Sequence, residues 1–227
     1  MKSLLAVCSL LALAAVVFGL IGLTTWVSGR IQARRRRRFA DAIRALGLTL
    51  HSDQTASGII GGVRVRVVIE RQARGGGRAR PRRANVTRYR AHFDPPLCMG
   101  LEIEEPLAYV SLPWLGTEVL LGDRQLERAL RFQALEPDRV RALLHDAGVP
   151  AATQAASRFG RLTLDDARVC LQHRGWAIEP EAIRRRLEPL CSLVRAIETA
   201  RRVRLGGRER FERGGSARLE PREPREP

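Results

Sequence analysis

Residues 4–27 read LLAVCSLLALAAVVFGLIGLTTWV, 24 positions without one charge. An apolar helix needs about 20 residues to cross a hydrocarbon core of roughly 30 Å. The run therefore predicts a transmembrane helix with modest tilt. Ser9, Thr24 and Thr25 fit such a helix because hydroxyls can bond back to their own helix carbonyls, and Trp26 falls at the headgroup level that suits an amphipathic ring. A cleaved signal peptide is the main rival. Its apolar region would span about 7–15 residues before a small-residue cleavage site. Ala12, Ala14 and Ala15 mimic such a site, but the apolar run continues beyond them. Cys8 follows Val7, which is too large for a lipoprotein signal.

The flanks set the direction. Lys2 stands before the run; Arg30 and then Arg34, Arg35, Arg36, Arg37 and Arg38 stand after it. Arginines beside a span resist translocation, which predicts an N-out, C-in protein of a bacterial inner membrane with a cytoplasmic domain. The boundaries that follow are an anchor over 1–29, a basic juxtamembrane segment over 30–38, a domain over 39–205 and a disordered tail over 206–227.

Net charge is +16, and its placement matters more than its size. Residues 71–90 hold Arg71, Arg74, Arg78, Arg80, Arg82, Arg83, Arg88 and Arg90 and no acid. With the juxtamembrane group, this stretch accounts for nearly all the excess; the rest of the domain is neutral by count. Lys2 is the one lysine among 40 basic residues. That skew looks like GC-rich coding bias, so arginine content by itself says little about function. None of the four cysteines forms a CxxC pair, and a cytoplasmic setting would keep them reduced.

Beyond the anchor, Phe39, Ala42, Ile43 and Leu46 share one helical face, closed by Gly47. Leu48 and Leu50 suggest a short strand. Gly58 to Glu70 reads as one long strand on the alternation of Val63, Val65, Val67 and Ile69, with the nearby glycines as an entry turn or a bulge. Ala84 to Asp94 is its partner, with Thr87, Tyr89, Ala91 and Phe93 on one face. The Arg71–Arg83 connection between them reads as a mobile, exposed loop. Met99 to Glu105 is a third strand, Glu118 to Leu121 a short one and Ala129 to Leu135 another. Pro137 and Pro150 each open a helix. Leu162, Leu164, Val169 and Leu171 read as a hairpin turning at Asp165-Asp166. Pro180 opens the final helix, which Pro189 should kink or split. The Pro-Arg-Glu repeats at the end read as low complexity.

Phe39, Ala40, Ala42, Leu46, Gly47 and Leu48, then Ser57, Gly58, Gly62, Val65 and Val67, form a pattern similar to a group of uncharacterised bacterial single-span membrane-anchored proteins. Gly122-Asp123 continues it, with Leu126 and Leu130 where that group carries Phe. The resemblance implies placement only. No activity or catalytic residue comes with it.

Candidate chemistry is sparse. Asp165-Asp166 and Glu102, Glu104 and Glu105 sit where a turn or a wet strand face wants charge. Cys170 and His173 fall on opposite faces of a strand. Gly61-Gly62 and Gly75–Gly77 lack the Lys-Ser/Thr of a phosphate loop, and the four histidines are isolated. The sequence thus assigns no catalytic residue, cofactor or metal. It predicts an α+β protein: a transmembrane helix, then an antiparallel sheet of about six strands with packed helices and a long C-terminal helix. The expected role is a tethered, non-enzymatic interaction module. Its partners would be the bilayer, anionic lipid touching Arg34–Arg38 and the Arg71–Arg83 loop, and an unidentified protein. Nucleic-acid or polyanion binding through Arg71–Arg90 is the alternative, disfavoured by the lack of interleaved aromatics. An enzyme with a site assembled only in three dimensions is the second alternative.

Overall fold

The computed structural model describes residues 2–74, 82–104, 116–146 and 148–215, with side chains over 18–72, 84–104, 116–146 and 148–203. The first element, α1 (Lys2–Ala45), runs unbroken from the apolar run through the arginines into the domain. Phe39, Ala42 and Ile43 are buried at helical spacing, which docks its last two turns. The end is a Schellman motif. Gly47, at φ +69°, bonds to the carbonyl of Arg44 while Leu48 N–H reaches Ile43. A left-handed residue is needed there, which is why the helix stops at a glycine.

The expected strand over Gly58–Glu70 is two strands, β2 (Thr55–Ile60) and β3 (Val63–Arg74), after a short β1 (Thr49–Ser52). Gly61 and Gly62, at φ +55° and +81°, form the two-residue turn between them. A tight hairpin of this hand requires two positive φ values, so Gly-Gly closes a hairpin here instead of opening a strand. Then come β4 (Arg82–His92), β5 (Glu102–Glu104), β6 (Thr117–Glu118), α2 (Arg124–Ala129), β7 (Arg131–Ala134), α3 (Pro137–Leu144), α4 (Gly148–Ser157), β8 (Arg161–Asp165), β9 (Arg168–Arg174) and α5 (Pro180–Gly215). The strand pairings among the described residues are all antiparallel, in one nine-stranded sheet ordered β1-β2-β3-β4-β9-β8-β5-β7-β6.

Three further expectations change. The strand expected from Met99 begins only at Glu102, because the N–H groups of Met99, Gly100 and Leu101 turn to the Asp166 carboxylate. Cys98 and Gly100 there have left-handed backbone, which a strand cannot accept. The helix α2 lies outside the expected elements, and Asp123 caps it by accepting from Gln125 and Leu126 N–H. Pro189 sits inside α5 without splitting it; Leu187 and Leu190 on either side are fully buried. That helix also carries past Gly206 to Gly215, and residues 216–227 lie outside the described residues.

One sheet face is packed and the other is wet. Val65, Val67, Tyr89, Ala91, Val169 and Leu171 point inward and are fully buried. Across them lies α5, presenting Ile183, Leu187, Leu190, Val194 and Ile197 and touching β3, β4, β9, α1, α3 and α4. Each such aliphatic contributes roughly 1.5–3 kcal/mol by leaving water.

A candidate anionic interface

Among the described residues no helix is long and apolar enough to cross a membrane. Most of the expected span, residues 4–17, has side chains outside the described set. What is described beyond it is apolar and uncovered. Phe18, Leu20, Ile21, Leu23, Trp26 and Val27 are all exposed on α1. Thr24 and Thr25 donate their hydroxyls to the carbonyls of Ile21 and Gly22 at 2.9 and 2.8 Å. Arg30 lies 4.3 Å over the Trp26 ring, a cation–π contact at the edge of the apolar stretch.

Arg34, Arg35, Arg36, Arg37 and Arg38 follow on the same helix, all exposed. Arg36 meets Asp53 of the β1–β2 turn at 2.8 Å. Arg35 lines a cleft of about 380 Å³ with Ala84, Asn85, Arg174, Gly175, Trp176 and Ile178. The helix thus passes the end of the sheet where β4 begins and β9 ends. That is also the end from which the β3–β4 hairpin extends.

Arg71, Arg74, Arg82 and Arg83 belong to that hairpin, which corrects their assignment to a mobile loop. The ladder continues through Arg71↔Asn85, Gln72↔Ala84, Ala73↔Arg83 and Arg74↔Arg82. Cross-strand hydrogen bonds carry the pairing past the point where apolar alternation stops. Arg78 and Arg80 lie outside the described residues.

The wet face of the sheet brings together arginines that are far apart in the chain. Arg64 and Arg66 come from β3, Arg88 and Arg90 from β4, Arg168 and Arg174 from β9. Glu70 contacts Arg88 at 3.0 Å and Arg90 at 3.5 Å; Arg64 pairs with Asp94 and Arg168 with Asp165. His92 sits among them. Partial burial lowers its pKa, and Arg168, Arg64, Arg90 and Arg66 lower it further. Two strands away the sign reverses. Glu102 has its pKa raised by burial, then by Glu104 and Asp165. Outside residues 71–90 the domain is neutral by count but polarised in placement, which a tally along the sequence hid.

The other candidates are structurally occupied. Asp166 holds its three backbone N–H groups, and Asp165 caps the turn through Ala167 and Arg168 N–H. No group of three or more His, Cys, Asp or Glu suited to a metal ion occurs among the described residues. Beneath α5, burial pushes the Tyr89 hydroxyl up to about 12 despite the Arg186 guanidinium beside it. Burial likewise lowers His173, with Arg186 adding to it.

Comparison with protein-family models, curated proteins and solved structures finds no match.

Proposed function

We propose that this chain is a membrane-tethered, non-enzymatic interaction module held against an anionic leaflet by its two basic segments. In this reading α1 is an inner-membrane anchor, N-out and C-in by its arginine flank, and the domain is cytoplasmic. One observation carries the reading: Arg35 lines the same cleft as Ala84, Asn85 and Arg174. Two patches separated in sequence thereby share one end of the domain. The exposed apolar side chains of α1 lead away from that end, and the back-bonded hydroxyls of Thr24 and Thr25 suit them to lipid.

The lengths agree. From Arg35 back to Val27 is about 12 Å of helix, and from Arg71 to Arg74 is about 10 Å of strand. The far end of the described hairpin is thus about as far from the cleft as the end of the apolar run. Arginines close to an anionic leaflet contribute about 1 kcal/mol each, less the ordering of their side chains.

The test is fractionation and topology. The full chain should resist carbonate and high salt in the membrane fraction, and a phosphatase-type reporter fused after Gly215 should be inactive. A soluble mature form starting near Val16, or an active reporter, would overturn the reading.

A further inference from the structure

We propose that the wet face of β3, β4 and β9 is a docking surface for an extended, acidic polypeptide segment. The register is the first reason. Arg66 lies directly opposite Arg90, and like charges directly opposite each other in a sheet are destabilising. Arg64 and His92 occupy the next position along this face, and His92 is in turn opposite Arg168. A solvated face selected only for stability would interleave signs here. Instead, Arg66 has no carboxylate partner among the described residues, while Arg88 and Arg90 share the single acid Glu70 on β3, Arg64 reaches Asp94 and Arg168 reaches Asp165.

These pairs indicate the guest. Glu70 rests between Arg88 and Arg90, so a carboxylate fits the gap between guanidiniums two residues apart on one strand. Same-face residues on a strand repeat at about 6.8 Å, and neighbouring strands at about 4.8 Å. An extended segment with an acid at every second residue has the same repeat, and guanidinium forks match carboxylates in geometry. Among the described residues the helix packed against β3, β4 and β9 is α5, on the opposite face. Nucleic acid fits less well. Among the described residues no Phe, Tyr or Trp side chain lies on the wet face of these strands, as Tyr89 points inward and is fully buried, so bases would have no large ring to stack on.

Full-length protein in neutral micelles, which remove the anionic leaflet and leave the lipid question aside, is titrated with an alternating Glu-Ser peptide of about a dozen residues. Its Gln-Ser analogue and an oligothymidylate of equal charge run alongside. The Glu-Ser peptide should bind and the Gln-Ser peptide should not. Arg66→Glu should weaken the peptide at least about tenfold while raising Tm, because it replaces a repulsive cross-strand pair with an attractive one. Arg66→Gln should show both effects in smaller measure and serves if the first variant fails to fold. Arg35→Gln should leave peptide binding unchanged. Peptide affinity indifferent to both Arg66 variants, no peptide binding at low salt, or tighter binding of the oligothymidylate would each overturn the proposal.

Discussion

Arg36 and Asp53 meet at 2.8 Å across the junction of α1 and the β1–β2 turn, and both side chains are largely exposed. An exposed pair of this kind contributes about 0–1 kcal/mol. The helix is held instead by Phe39, Ala42 and Ile43, each with at most 1% of its surface exposed. Asp53→Asn should therefore shift chemical-denaturation midpoints very little. Phe39→Ala should cost about 3–5 kcal/mol. Equal losses from the two variants would show that the ion pair, not the apolar face, docks α1.

Asp166 organises the turn before β5 by accepting from Met99, Gly100 and Leu101 N–H at 3.1, 2.8 and 2.9 Å. Hydrogen bonds to a charged acceptor contribute about 1.5–3 kcal/mol, and unmet buried donors cost more. Asp166→Ala should destabilise the domain by about 3 kcal/mol or more, since three donors lose one acceptor together. Asp165→Ala, which strips a turn exposed on the surface, should cost less. The comparison is read from urea midpoints at constant m.

The contrast between these two acids shows where the sequence stops being informative. Asp165 acts on N–H groups two and three positions away, and a turn reading recovers that from local spacing. Asp166 acts on partners 65 to 67 positions away, which no local pattern contains. The same division runs through the fold. The inward set of Thr87, Tyr89 and Ala91 follows from alternation, and the β3–β4 pairing from two adjacent alternating runs. Gly58 lacked that signal, because its place in β2 is set by contact: a Cβ there would lie 2.6 Å from Leu48 Cδ2. The cleft joining Arg35 to Asn85 and Arg174, and the opposition of Arg66 to Arg90, are tertiary facts for the same reason.

Buried thiol and phenol groups make stability fall in alkali. Burial raises Cys191 from 9.0 to about 11 and Tyr89 from 10.0 to about 12. Between the two values the unfolded chain has released a proton that the folded chain still holds. Stability is thus fully present below pH 9 and declines as pH rises through 9–11 for Cys191 and 10–12 for Tyr89. Each shift is equivalent to about 2–3 kcal/mol. Tyr89→Phe should remove the upper part of the decline, measured as Tm against pH. A profile unchanged by that substitution would place the alkaline loss elsewhere.

The histidines act at the other end of the scale. Burial and surrounding arginines hold His92 and His173 below 6.5 in the fold. Once pH drops past 6.5 the unfolded chain takes up protons that the folded chain refuses, so stability falls with acidification. Glu102 opposes this trend, because its raised pKa lets the fold bind a proton before the unfolded chain does. Its penalty is present above the folded value and relieved as pH falls toward 4.5. His92→Gln should flatten the loss just below pH 6.5, and Glu102→Gln should stabilise the protein at neutral pH by removing like-charge crowding with Glu104. An unchanged acid limb in the His92 variant would refute the assignment.

Lipid charge should decide how the hairpin sits. Arg35 and Arg174 share a cleft at the base of the β3–β4 hairpin, and Arg74 and Arg82 close its last described rung. A fluorophore on Arg82→Cys, in the full chain reconstituted into nanodiscs, should be less accessible to an aqueous quencher when the lipid is anionic than when it is neutral. Cys8, Cys98 and Cys170 are first replaced by Ser, which leaves the buried Cys191 beside the label's own target. Raising salt from low ionic strength to about 0.5 M, where the Debye length falls well below 10 Å, should erase the difference. Replacing Arg71, Arg74, Arg78, Arg80 and Arg83 with Gln should erase it at low salt too. Quenching that ignores lipid charge in the parent chain would leave α1 as the sole membrane contact and remove the hairpin from the interface.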